Sequence, residues 1–366
     1  MDKFVVYFVG FFFVIGGVDY LIGNKFKVGE KFEEGIKTMG PMAITMVGIL
    51  SLTPIISSLI SSYLGPILGS GNIDPSILPA MILAPDMGAY KISMDVALNN
   101  DVGIYSAVLI ASTLGTTLSF SLPMALTLID KKDTEVFAKG VICGIITIPI
   151  GALIVAFYKG MNMKLIFINT IPIIVFSLIL TVLILKSMDK AIVIFNIIGK
   201  CIISISVIAM LIQGLQFILD ITIVSNFLPM EEVLKIVCKI SFFLGGAYPM
   251  ISVISRIFKK PFTSIGHLMG VNSVAVTGFL GALASSLLIF VSLKDMNEKG
   301  KIIASALSVS LSFIFGGQMG FIASLNPEFL GAFMLCKLIC GILACILANI
   351  LFKIHSKKNI LITENI

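Results

Sequence analysis

Apolar and polar positions fall in long blocks along this chain rather than alternating at strand or surface-helix intervals. Apolar segments lie near 4–21, 39–60, 77–97, 104–129, 136–157, 165–185, 191–219, 236–257, 271–293, 301–324 and 328–352. A helix needs roughly 20 apolar residues to cross a bilayer, and the chain offers that length many times. The pattern predicts an all-α, polytopic integral membrane protein, with residues 1–366 forming one transmembrane domain. The longest polar stretch, 22–38, is too short for a soluble domain. Phe4–Leu21 is long for a signal-peptide core and lacks an A-x-A site, so it reads as the first span.

Several blocks are interrupted. Residues 84–90 read APDMGAY, with Pro85 and Gly88 on either side of Asp86, and Ala284-Ser285-Ser286 breaks the segment 271–293 at its middle. The segment after the first of these carries Thr116, Thr117, Ser119, Ser121 and Pro123. The segment after the second carries Ser308, Ser310, Ser312 and then GGQMG at 316–320. Non-helical backbone at membrane depth survives only when buried in protein or lining a wet cavity. An interrupted segment followed by a broken helix, twice, is how carriers aim helix ends and freed carbonyls at a substrate.

The two interrupted regions also echo each other. Asn72, Leu83, Ala84 and Asp95 match Asn272, Leu283, Ala284 and Asp295, each 200 positions on, and Glu33-Glu34 is echoed by Glu231-Glu232. Internal repeats of about 33–157 and 231–352 are therefore expected. Charge decides how they insert. If all eleven segments cross, the basic residues of alternate loops divide 9 against 14; if 77–97 and 271–293 are re-entrant hairpins, leaving about nine spans, they divide 18 against 5. The positive-inside rule favours the hairpins. The N-terminus is then outside, the C-terminus cytoplasmic, and the halves form an inverted repeat.

Composition narrows the chemistry. With 57% hydrophobic and 13% charged residues and a mean hydropathy of +1.07, the chain has the lipid bilayer as its solvent. The net charge of +6 is what cytoplasmic loops supply, and no basic patch interleaved with aromatics suggests nucleic acid. Cys143, Cys201, Cys238, Cys336, Cys340 and Cys345 lie in apolar runs without CxxC spacing and read as packing residues. The apolar segments hold no histidine, no metal-ligand spacing and no G-x-S-x-G elbow, so neither a metal site nor an enzyme is expected.

Asp86 is the leading candidate for substrate binding. An ionised carboxylate inside a membrane costs roughly 2.5–3.5 kcal/mol on insertion scales, and a cationic substrate would offset that; the bland alternative is a helix cap. Gln318 offers an amide to a hydroxyl, and Ser119, Ser285, Ser286 and Tyr248 complete the candidate substrate-binding set. For these, packing, or interface anchoring for Tyr248, is the competing reading. Lys239 and Lys337 read as snorkelling or pairing, and Lys200 as the deepest lysine and the better partner for an acid.

The segments FEEGIKTMGPMAITMVGILSLTPII (32–56), LAPDMGAY (83–90), GVICGIITIPIGAL (140–153), LGGAYPM (244–250) and KPFTSIGHLMGVNSVAVTG (260–278) resemble the ethanolamine utilisation permeases, the EutH family, over nearly the whole chain. The resemblance implies a multi-pass protein of the bacterial inner membrane that imports ethanolamine or a related small amine, with Asp86 in the family's acidic-Met-Gly motif. Two departures stand out. Ser285-Ser286 replaces an expected asparagine pair, and Gly317-Gln318 replaces an acid and a histidine, which points to another amine or a weaker grip. The residues alone also leave a sodium-coupled carrier for an organic anion or nucleoside. No cofactor is expected, a coupling ion is either proton or sodium, and a homodimer is the scaffold that an elevator-type motion favours.

Overall fold

The computed structural model describes residues 2–363; residues 1 and 364–366 of the expected domain lie outside the described residues. All regular elements among these are helical. Eight are long and apolar enough to cross a membrane: Lys3–Leu21, Gly29–Ser70, Asn100–Leu128, Lys131–Tyr158, Met163–Lys186, Val193–Leu219, Met230–Phe258 and Pro327–Ile354. A ninth path runs through Glu298–Ser310 and Gly317–Leu325, separated by a break at 311–316.

The two remaining apolar segments are hairpins. Ile77–Ile82 and Ala89–Val96 have six and eight residues, about 9 and 12 Å at 1.5 Å per residue, against a hydrocarbon core of about 30 Å. Ser273–Ala282 and Leu287–Ser292 are similarly short. Each hairpin is tied shut at its base. Asp74 accepts from the amides of Ser76 (2.9 Å), Leu98 and Asn99 (3.0 Å each), joining the chain that enters the first hairpin to the chain that leaves it. At the second, the Asn272 side chain donates to the Asp295 carbonyl (2.9 Å), and that of Asn297 donates to the Gly270 carbonyl (2.8 Å). These contacts exclude the eleven-span alternative, because both hairpins return to the side they entered.

The capping residues set the correspondence between the two regions. Asn99 and Asn297 each cap the helix that follows a hairpin, accepting from Asp101 N and Gly300 N, and Asp74 and Asn272 occupy the entries. Both pairs are 198 positions apart. At the bases the spacing is thus two less than the 200 of the identical residues, since Asn72 sits in a turn at positive φ (57°) whereas Asn272 caps a helix; at the tips, Leu83 against Gly115 and Leu283 against Phe315 keep 200.

Packing divides the helices into two groups. Asp2–Leu21, the amphipathic Gly29–Lys37, Met39–Ser51, Met188–Leu219 and Met230–Leu268 pack on one another. Both hairpins, Asn100–Leu128, Thr134–Tyr158 with Met163–Lys186 beside it, the broken path 298–325 and Leu330–Thr363 form the other group. The two groups meet extensively where Met230–Leu268 packs on Gly317–Leu325 and Met188–Leu219 packs on 117–128. Small residues let backbones approach, the usual means of helix association in lipid. A Cβ on Gly140 would stand 2.2 Å from the Ile302 carbonyl, and one on Gly151 2.3 Å from Cys340 Sγ. Cys340 thus packs as expected, as do buried Cys143 and Cys336, while Cys201 is exposed. Lys200 is exposed too and partners no acid among the described residues. The buried lysine is Lys337, at 1% exposure.

Candidate functional site

The tip of the first hairpin is shaped by two residues. Pro85 excludes the helical conformation from Ala84, which is extended (φ −68°, ψ 155°), and Gly88 takes φ +92°, the left-handed region that glycine enters without penalty. Asp86 lies between them in one turn of 3₁₀ helix, Pro85–Met87. Gly88, not Asp86, is the N-cap of Ala89–Val96, and no side chain caps that helix. Asp86 is therefore not placed for the capping role. Asp86 as a residue is half-buried, and its carboxylate receives no hydrogen bond from another described residue.

The tip rests on the helix Asn100–Leu128, which is wound with i→i+5 hydrogen bonds through Tyr105–Gly115 and Thr117–Ser121. Such π-helical stretches are rare and concentrate at functional sites. A Cβ on Gly115 would fall 2.0 Å from the Leu83 carbonyl, so only glycine admits the tip here. Ser119 fixes the same contact: its hydroxyl accepts from Ala84 N (3.0 Å) and donates to the Gly115 carbonyl (2.8 Å). That hydroxyl is engaged in holding the tip.

The second tip leans on the break in the other crossing helix. Phe313 N donates to the Ala282 carbonyl (3.1 Å) and Phe315 N to the Leu283 carbonyl (2.8 Å), so backbone groups freed by one interruption satisfy those freed by the other. Phe313 has φ +67°, a strained conformation for a bulky residue, and its ring meets Phe120 edge-on at 5.6 Å. Ser285 Oγ accepts from Leu287 N (3.3 Å), while Ser286 Oγ is buried without a partner.

Both tips converge on the doublet Gly316-Gly317. A Cβ on Gly316 would stand 2.4 Å from the Ala284 carbonyl of the second tip, and one on Gly317 would stand 3.8 Å from Asp86 Oδ2 of the first. Gly317 begins the helix Gly317–Leu325, so Asp86 faces a helix N-terminus, which favours negative charge. Next to it, Gln318 donates from Nε2 to Thr116 Oγ1 (2.6 Å), and its Oε1 is buried with no partner. Asp86, Gln318 and the second tip are thus brought together. Tyr248 is not; it lies where Met230–Leu268 packs on Gly29–Lys37, with Glu34 as its charged neighbour. The first tip also touches the other helix group, since a Cβ on Gly88 would stand 3.1 Å from Ile49 Cγ1.

Lys337 is the central residue that sequence reasoning set aside. Its Nζ donates to the carbonyls of Ser112 and Ser312 (2.6 Å each) and sits 5.5 Å from the Phe333 ring centroid. It is the cation whose field reaches Asp86, beyond ion-pair distance. The available signal was its position well inside the segment 328–352. A surface cleft lined by Pro54, Ile55, Ser58, Leu59 and residues 226–229 holds none of these groups and no charge to meet an amine.

The profile of the family described as "Ethanolamine utilisation protein, EutH" matches residues 1–351. The chain belongs to the EutH family. It is 34% identical over 359 residues to "Probable ethanolamine permease EutH" of Listeria monocytogenes serotype 1/2a, covering 98% of this chain and 96% of the relative. It is 31% identical to "Uncharacterized protein YxeR" of Bacillus subtilis, covering 97% and 96%. It is 28% identical to "Probable ethanolamine permease EutH" of Salmonella typhimurium, covering 94% of each chain. No solved structure matches. Set in this multi-pass EutH protein, the two departures noted in the sequence fall at the tip of the second hairpin and at the glycine doublet where both tips meet.

Proposed function

We propose that this EutH-family protein carries ethanolamine or a closely related small primary amine across the bacterial inner membrane into the cytoplasm. The observation that carries this reading is the Asp86 carboxylate, without a partner among the described residues, beside the orphaned Gln318 Oε1. Protonated ethanolamine is the chemical complement of that pair: its ammonium meets Asp86 in a charge-assisted hydrogen bond, and its hydroxyl donates to Gln318 Oε1. The unpartnered Ser286 hydroxyl is a further polar group for the guest. An organic anion fits poorly, because the Asp86 carboxylate stands in the site and would repel it.

Alternating access follows from the two helix groups. The hairpins and their crossing helices move as a body against the frame built on Met230–Leu268, with the substrate held at the boundary that Asp86 and Ile49 share. Five candidate crossings between the hairpins would put them on opposite faces, in keeping with inverted repeats at about 33–157 and 231–352. The charge distribution supports an N-terminus outside and a C-terminus inside, and a frame that stays still suits a homodimer. Uptake of labelled ethanolamine into cells or proteoliposomes tests the reading. Wild-type protein should saturate and be competed by short amino alcohols, and Asp86→Asn should lose uptake. Undiminished uptake by Asp86→Asn removes the carboxylate from the mechanism.

A further inference from the structure

Lys337 sits where a carrier would hold a cation. The helix Glu298–Ser310 ends at the break, and the carbonyl of Ser312, two residues beyond, receives Lys337 Nζ rather than a helical amide. The second carbonyl belongs to Ser112, inside the π-wound stretch of the other crossing helix. Unwound carbonyls and half-helix C-termini are the groups that coordinate coupling cations in carriers built on interrupted helices, and the helix dipole adds negative potential there. The ammonium gives one proton to each crossing helix and faces the π-cloud of Phe333. Its charged neighbourhood is sparse. Asp86 is the carboxylate that acts on it, and the thiols Cys336 and Cys340 are its neighbours along the same helix.

We propose that the Lys337 ammonium is a tethered cation that fills the seat between the two crossing helices, so that this carrier works without a sodium ion. A lysine at 1% exposure inside an apolar bundle is costly unless its charge is used. Here it bridges the break in one crossing helix and the π-wound backbone of the other, near Asp86, the place where an external ion would otherwise have to bind. A sodium ion arriving at the same carbonyls would meet the ammonium first and be repelled. The inference rests on the Asp86–Gln318 region being the transport site, and it adds the ion requirement that the amine reading leaves open.

The test uses purified full-length protein, with sodium, potassium or N-methylglucamine chloride at equal ionic strength and no amine present. Wild-type melting temperature should be the same in all three salts. Lys337→Ala should melt lower and regain several degrees in sodium alone, because the vacated carbonyls now bind the ion. Lys337→Arg keeps the charge and should stay indifferent to sodium. In proteoliposomes, wild-type ethanolamine uptake should be equal in sodium and potassium. Uptake by Lys337→Ala should fall about tenfold in potassium, as expected when a charge-assisted bridge is lost, and recover in part in sodium.

A wild-type protein stabilised by sodium overturns the proposal even if Lys337→Ala fails to fold. So does a folded Lys337→Ala that ignores sodium or transports at the wild-type rate without it. If wild-type protein shows the stated melting pattern yet takes up no ethanolamine, the substrate reading fails and the tethered cation stands.

Discussion

The two hairpins share a base and differ at the tip. At the base, every prominent polar side chain has a job in the backbone: Asp74 takes three amides, and Asn99, Asn272 and Asn297 cap helices. At the tips, polar atoms are left over: the Asp86 carboxylate, Gln318 Oε1 and Ser286 Oγ. Buried polar groups in proteins are ordinarily satisfied. The contrast separates architecture from function within one motif: Ser286 Oγ and Gln318 Oε1 are left where a guest would complete them, although other buried polar atoms, Ser51 Oγ and Ser177 Oγ among them, also lack a partner. The second tip differs again in carrying no charge and in leaning on a broken helix instead of a π-wound one.

The sharpest way to break this comparison is to exchange the two kinds of acid. Asp86→Asn should leave the melting temperature nearly unchanged and weaken amine binding by about a hundredfold or more, the usual scale for truncating one partner of a desolvated charge pair. Asp74→Asn should do the reverse, lowering stability by about 2 kcal/mol through its lost charge-assisted bonds, with KM for uptake near wild type in the protein that folds. If Asp74→Asn abolished binding while Asp86→Asn did not, the division between base and tip would be false.

The glycine doublet gives a finer test. Gly316→Ala drives a methyl to within 2.4 Å of the Ala284 carbonyl, whereas Gly317→Ala meets Asp86 Oδ2 at 3.8 Å, an ordinary contact. The first should cost about 1–3 kcal/mol of stability by overpacking and slow transport. The second should fold normally and only narrow the range of amines accepted, measured by competition against ethanolamine. Smallest in effect, Gln318→Met should raise KM for ethanolamine by about tenfold, one hydrogen bond's worth, and should hardly change KM for ethylamine, which has no hydroxyl. Equal losses for both amines would remove Gln318 from hydroxyl recognition.

Much of this was legible in the sequence, because the decisive signals are chemical rather than periodic. Pro85 and Gly88 mark a backbone that cannot stay helical, GGQMG marks the break, and the one-sided distribution of lysines shows that two apolar segments do not cross. What was not legible follows from the solvent. A helix that is apolar all round carries no stripe to show which face is buried. Lys337 in the interior and Lys200 in contact with the outside therefore look alike on paper. Ser119 reads as a free hydroxyl until the Ala84 amide is seen to occupy it. At the hairpin bases the identical Asn72 and Asn272 are not structural counterparts. The capping work is done at Asp74.

Phe313, Phe315, Gly316 and Gly317 form one short run of backbone, which holds the second tip by hydrogen bonds from Phe313 N and Phe315 N and stands beside Asp86 of the first. A displacement of this run is therefore felt at both tips, through hydrogen bonds at the second and packing at the first. In the proposed carrier, opening toward one compartment and sealing against the other would then be coupled through this run. A carrier jointed this way has little opportunity to leak.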